Sequence, residues 1–124
     1  MGGRGTYASG NNVPETYRCV GYVGGIKVLE APGGSQKLPE ESKTSHAYVR
    51  YNNGVFAQYR EYENQQVSIE IGYHYERNVD PHAPRVLHIH VYTPPGNFQN
   101  RKPRRLTASE YEKYKFLFKG VKNG

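Results

Sequence analysis

Tryptophan is absent from this chain, and cysteine and methionine occur once each. The lone Cys19 excludes an intramolecular disulfide and a thiolate-rich zinc site. A small domain without disulfides fits a reducing, cytoplasmic compartment. No apolar run approaches a membrane span or the core of a signal peptide, so no membrane contact is expected. Met1-Gly2 with Thr6 formally matches a myristoylation signal, but a flexible glycine-rich arm is the simpler reading. Apolar side chains are scarce as well, at 35% of residues with a mean hydropathy of −0.87. Acidic residues number 11 against 17 basic ones, a net charge of +6, which favours anionic partners such as RNA or a nucleotide. What the chain has in quantity is tyrosine, 12 residues, each able to bury a ring if its hydroxyl finds a partner or solvent.

At 124 residues there is room for one domain with one modest core. Residues 1–14 read as a flexible glycine-rich leader, and residues 15–124 as a single α+β domain. Two apolar runs flank Gly24-Gly25 within residues 17–29, a hairpin signal, and a polar loop follows at 31–45. Segments 47–51, 55–62, 67–75 and 86–92 are rich in Tyr, Val and Ile and read as strands. Asn52-Asn53-Gly54 is the strongest turn among them, and 63–66 forms a weaker one. Near the C-terminus, Thr107 and Glu110 form a capping box, with Leu106 and Tyr111 as its staple. Tyr111, Tyr114, Leu117 and Phe118 make an apolar helical stripe, and Gly120 ends it. The expected architecture is one antiparallel sheet, a meander of about five strands, with a C-terminal helix on its apolar face.

Alternation along a strand assigns each side chain to a face. Val67, Ile69, Ile71 and Tyr73 on one strand, and Leu87, Ile89 and Val91 on another, form the apolar side. Glu70, His74, His88, His90 and Tyr92 then point the other way. A three-residue loop at 52–54 pairs Tyr51 with Val55 and Val49 with Ala57, which adds His46, Tyr48, Arg50, Phe56, Gln58 and Arg60 to the same side. In that register Glu70 lies opposite or diagonal to His88 and His90, with Arg60 beside it. Four of the five histidines therefore share a face that Lys and Glu would ordinarily fill.

Metal-free cleavage of RNA needs a base for the 2′-hydroxyl, an acid for the leaving oxygen and a cation for the developing charge. Glu70 is the expected base, His88 or His90 the acid, and Arg60 or Arg50 the phosphate clamp. His46, Tyr48, His74 and Tyr92 are expected to bind or stack on substrate. Arg104 and Arg105, in the basic run with Arg101 and Lys102, are expected to contact phosphates. This set of residue types on a sheet is similar to that of barnase-like toxin endonucleases, although their N-terminal helices are not evident here. No cofactor is expected in this reading. A second reading is a metal site, in which His88-Ile89-His90 places two imidazoles on one side of a strand and His74 or Glu70 completes the set. A cupin is disfavoured, because Val91-Tyr92-Thr93-Pro94-Pro95 follows where that pattern has a glutamate. A third is non-catalytic binding of a nucleotide or protein by the same basic surface.

The leader Gly2-Gly3-Arg4-Gly5 with Ser9-Gly10, the Leu87-His88-Ile89-His90 segment and the 111–121 tail resemble small proteins of Firmicute phages and prophages. Some of those are encoded beside, or fused to, minor head proteins. The resemblance implies a phage protein acting in the bacterial cytoplasm. Its possible roles are an RNA-directed nuclease or nuclease-derived RNA binder, a host-defence inhibitor such as an anti-CRISPR, or a virion accessory protein.

Overall fold

A computed structural model describes residues 17–30, 38–40, 42, 46–99 and 102–122. The glycine-rich leader, most of the 31–45 loop and Arg101 lie outside the described residues. Six strands follow one another: β1 (Arg18–Val23), β2 (Ile26–Glu30), β3 (Ala47–Asn52), β4 (Val55–Glu63), β5 (Gln66–His74) and β6 (Val86–Val91). A helix, α1 (Ala108–Tyr114), continues into a 3-10 turn over Lys115–Leu117. The fold is thus α+β, with one sheet in the order β1-β2-β3-β4-β5-β6 and a C-terminal helix. No described helix is long and apolar enough to cross a membrane.

Two features of the expected meander need correction. There are six strands rather than about five, and β2 pairs with β3 in parallel, through Lys27↔Tyr48 and Val28↔Val49. The chain between Glu30 and Ala47 is long enough for the crossover that parallel neighbours require. The other four pairings are antiparallel. Three of them are closed by two-residue turns with positive φ at both positions: Gly24-Gly25 at 57° and 82°, Asn53-Gly54 at 53° and 79°, Asn64-Gln65 at 52° and 72°. That geometry matches the right-handed twist of the flanking strands.

The β3–β4 register also differs from expectation. Asn52 pairs with Val55 and Tyr51 with Phe56, and then the register shifts so that Arg50 pairs with Gln58 and Val49 with Tyr59. The loop is therefore two residues long, and Ala57 is the extra residue of a bulge. A bulge reverses the alternation on its strand. Phe56 accordingly turns to the helix side, with its ring 4.9 Å from Phe118. A second bulge, between Glu61↔Ile69 and Tyr62↔Val67, leaves Ser68 extra and sends Val67 to the face opposite Ile69 and Ile71.

The helix side of the sheet carries the larger core. Val49, Phe56, Tyr59, Ile71, Leu87 and Ile89 pack there against Tyr114, Leu117 and Phe118. The helix is held as its sequence predicts: Glu110 N–H donates to Thr107 Oγ1 at 3.1 Å and Thr107 N–H to Glu110 Oε1 at 2.9 Å. Tyrosines in and beside this core find acceptors, as their number demands. Tyr51 donates to the Leu117 carbonyl at 2.7 Å, and Tyr59 and Tyr114 both donate to Glu61 Oε1. The other face is not open either. Leu29, Leu38, Tyr48, Tyr62, Val67 and Tyr92 form a second cluster on it, with Tyr17, Cys19 and Phe98 at its margin.

Candidate functional site

Strand pairing lines up two cross-strand rows on the face away from the helix. Tyr48, Arg60, Glu70 and His90 are successive partners across β3 to β6. Arg50, Gln58, Gly72 and His88 make the next row. His74 follows Gly72 on β5, and Tyr92 follows His90. The face assembled from strand alternation is therefore present, but most of it is enclosed. Arg60, Glu70, Gln58, Tyr48 and Tyr92 are all buried, and His88 is 0% exposed.

Glu70 is the hub of the closed half. Its Oε1 accepts the Tyr92 hydroxyl at 2.6 Å and faces Arg60 Nη2 at 3.4 Å, and its Oε2 accepts the Gln58 amide. Gln58 is itself fixed, because its Oε1 accepts the Leu38 N–H at 2.9 Å. Arg60 Nη1 donates to the carbonyls of Leu38 and Pro39, and the guanidinium lies 5.5 Å from the Phe98 ring centre. Burial pushes the Glu70 carboxyl up. Arg60, Tyr92, Gln58 and His90 outweigh it and bring the group down to about 2. A carboxylate so held is ionised at neutral pH and is a weak proton acceptor. Arg60 spends its two Nη groups on backbone and on Glu70, while its Nε is buried without a partner among the described residues. Together the two residues tie β4 and β5 to the 38–40 segment.

The imidazole half lies at the other end. His88 and His74 meet edge to face with centroids 4.6 Å apart, and His88 and His90 likewise at 5.5 Å. Tyr92 stacks parallel to His90 at 5.9 Å. His88 Nδ1 sits 2.8 Å from the Val86 carbonyl, so the proton belongs on Nδ1 and the lone pair on Nε2. That Nε2 is buried without a hydrogen-bond partner among the described residues. Burial lowers the His88 pKa, opposed by the Val86 carbonyl, so the ring is neutral at physiological pH. His74 is exposed, and its Nδ1 lies 2.8 Å from the Tyr75 carbonyl. A Cβ on Gly72 would come within 3.1 Å of His88 Nε2 and 3.2 Å of His74 Nε2. Glycine there leaves room in front of both nitrogens.

Other expected residues fall elsewhere. His46 is exposed before β3, separated from β6 by two strands, and its carbonyl accepts the Tyr62 N–H. Tyr48 is core, 5.5 Å from Tyr62. Arg50 is half-buried beside Gln58. Arg104 bridges to Ile89 through its backbone and forms a two-point ion pair with Glu110, at 2.8 and 2.9 Å. Arg105 pairs with Asp80 at 3.2 Å and borders a cavity of about 300 Å³ on the helix side, shared with Leu87 and Tyr111. Neither arginine reaches the imidazoles.

One residue joins the site unannounced. Glu76, half-buried, brings a carboxylate oxygen to within 4.8 Å of a ring nitrogen of each of His88 and His90. Its signal was the alternation itself: Glu70, Gly72 and His74 continue to position 76 two residues past the apparent strand end. Comparison with protein-family models, with curated proteins and with solved structures finds no match to this chain.

Proposed function

We propose that this is a small basic protein of phage type, working in the bacterial cytoplasm, that engages RNA at the imidazole end of the sheet face and cleaves its phosphodiester there. The observation that carries the reading is the convergence of His74, His88 and His90 beside a closed Glu70–Arg60 network. In this reading Glu70 and Arg60 brace the face, and the imidazoles move the protons. His74, at the solvent side, is the imidazole that meets the substrate, and neutral, fully buried His88 stands behind it, 4.6 Å away between ring centres, without touching the RNA itself. The exposed Tyr75 offers a ring for an unstacked base, and the net charge of +6 draws the phosphates in.

Labelled single-stranded RNA incubated with the full chain in EDTA tests this. Cleavage is expected, and His74→Ala reduces it at least tenfold while leaving the melting temperature unchanged. Intact RNA with no retained complex at low salt overturns the reading. One observation favours a rival, a non-enzymatic inhibitor of a host protein. Val20 and Tyr22 project from β1, an edge strand, at 52% and 64% exposure. Salt-insensitive capture of one host protein, lost in Tyr22→Lys, would identify it.

A further inference from the structure

We infer that Glu76, His88 and His90 form a binding site for a divalent transition-metal ion of the zinc class, with His74 at its exposed rim. The inference goes beyond the RNA reading and requires no nucleic acid.

Three observations converge. Donor atoms of the three residues all lie within 4.8 Å of one another. A tetrahedral ion with bonds of about 2.0–2.2 Å needs ligand separations of about 3.3–3.6 Å, so the three side chains draw together by up to about 1.5 Å on binding. Next, His88 is 0% exposed, and its Nε2 has no hydrogen-bond partner among the described residues. A buried acceptor left unmade costs roughly 1–3 kcal/mol, so its persistence calls for an occupant. The occupant must be small, because no nucleotide oxygen reaches a nitrogen with no accessible surface, and it must be electrophilic, because the atom presents a lone pair. Finally, the His88 Nδ1 contact with the Val86 carbonyl at 2.8 Å is the outer contact that ligating histidines make, fixing the tautomer and aiming Nε2 inward.

The ligand set selects the ion. Two imidazoles and one carboxylate suit zinc and its neighbours, whereas magnesium and calcium prefer all-oxygen shells. Two histidines with one glutamate are also the three-ligand pattern that keeps a coordination position open. Glycine at position 72 keeps space before the Nε2 atoms of His88 and His74. Glu76 is set by its turn, where its Oε2 accepts the Asn78 N–H at 3.3 Å and its carbonyl accepts the N–H groups of Val79 and Asp80. In the loaded protein His88 and His90 are ligands rather than proton carriers, so any RNA cleavage then depends on the ion.

The test uses the full chain without a histidine tag, stripped with EDTA, dialysed and titrated calorimetrically with Zn²⁺ in the absence of RNA, with Co²⁺ absorption as a second readout. One ion per chain is expected, with a tetrahedral cobalt spectrum. Glu76→Gln and His90→Ala each weaken binding at least tenfold, and His82→Ala, outside the cluster, leaves it unchanged. His88 is buried, so Glu76→Gln, on a half-exposed turn, is the variant that keeps the fold out of question. No binding by the wild type, or binding unaffected by both Glu76→Gln and His90→Ala, overturns the site. Ion binding without RNA cleavage upholds the site and sinks the RNA reading. Cleavage in EDTA without ion binding does the reverse.

Discussion

Glu70 shows what one buried charge does to this molecule. Its side chain is 9% exposed, and its carboxyl is held well below the usual carboxylate range, at about 2. A depressed carboxyl stabilises the fold fully above its unfolded pKa, and that contribution drains away as pH falls toward the folded value. The window here runs from about pH 5 to about pH 2, and the difference corresponds to about 3 kcal/mol. Urea unfolding across that range should show the wild type losing stability faster than Glu70→Gln. At neutral pH the same substitution should cost on the order of 3–5 kcal/mol, because it leaves the Arg60 guanidinium buried without its anion. An equal pH slope in both proteins would remove Glu70 from that role. The arrangement also explains why a glutamate that looks like a catalytic base in sequence is a brace in the fold. Arg60 Nη2, the Tyr92 hydroxyl and the Gln58 amide are already aimed at its oxygens.

Among the elements, the hairpins carry the register on which everything else depends. Gln65 holds φ at 72° in the β4–β5 turn, where a side chain is strained. Relief of that strain is worth ~1–2 kcal/mol, and the added chain entropy of glycine takes back ~0.5–1 kcal/mol. Gln65→Gly should therefore stabilise the protein by about 0.5 kcal/mol, read as a rise in urea midpoint with an unchanged slope. A lower midpoint would mean that the exposed Gln65 side chain makes a compensating contact. The two bulges in β3–β4 and β4–β5 matter more than the turns. They allow Phe56 and Val67 to sit in different cores while Arg60 and Glu70 remain on one face. Sequence alternation alone cannot locate them, because a bulge is one extra residue with no fixed signature, placed where packing on both faces demands it.

For the whole molecule, the sheet is covered on both sides. The helix side is apolar, and the other side holds a second cluster around a polar network. Among the described residues of that face, His74 is exposed while Glu70, Arg60, His88 and His90 are buried, so the proposed chemistry would be confined to a rim. The net charge of +6 acts at long range. If RNA is the partner, log affinity should fall linearly with log salt, with a slope of about −0.7 per phosphate contacted. Fluorescence anisotropy of a labelled oligonucleotide between low and physiological salt checks this. A slope near zero would mean that the net charge contributes nothing to recognition.

Alternation and punctuation in the sequence determined a good deal. They specified the strands, the Gly24-Gly25 turn, the capped helix and a face on which Arg60 stands beside Glu70 and Glu70 lies opposite or diagonal to His88 and His90. These are local or nearest-neighbour properties, with period and turn chemistry as their physical cause. Tertiary structure alone decided the parallel β2–β3 pairing, the bulges and the closure of the second face, because each depends on packing between segments distant in the chain. It also decided which ionisable groups are spent on structure. Leu38 and Pro39 arrive from outside the sheet to occupy Arg60. No spacing of residues along one strand encodes a neighbour delivered by another.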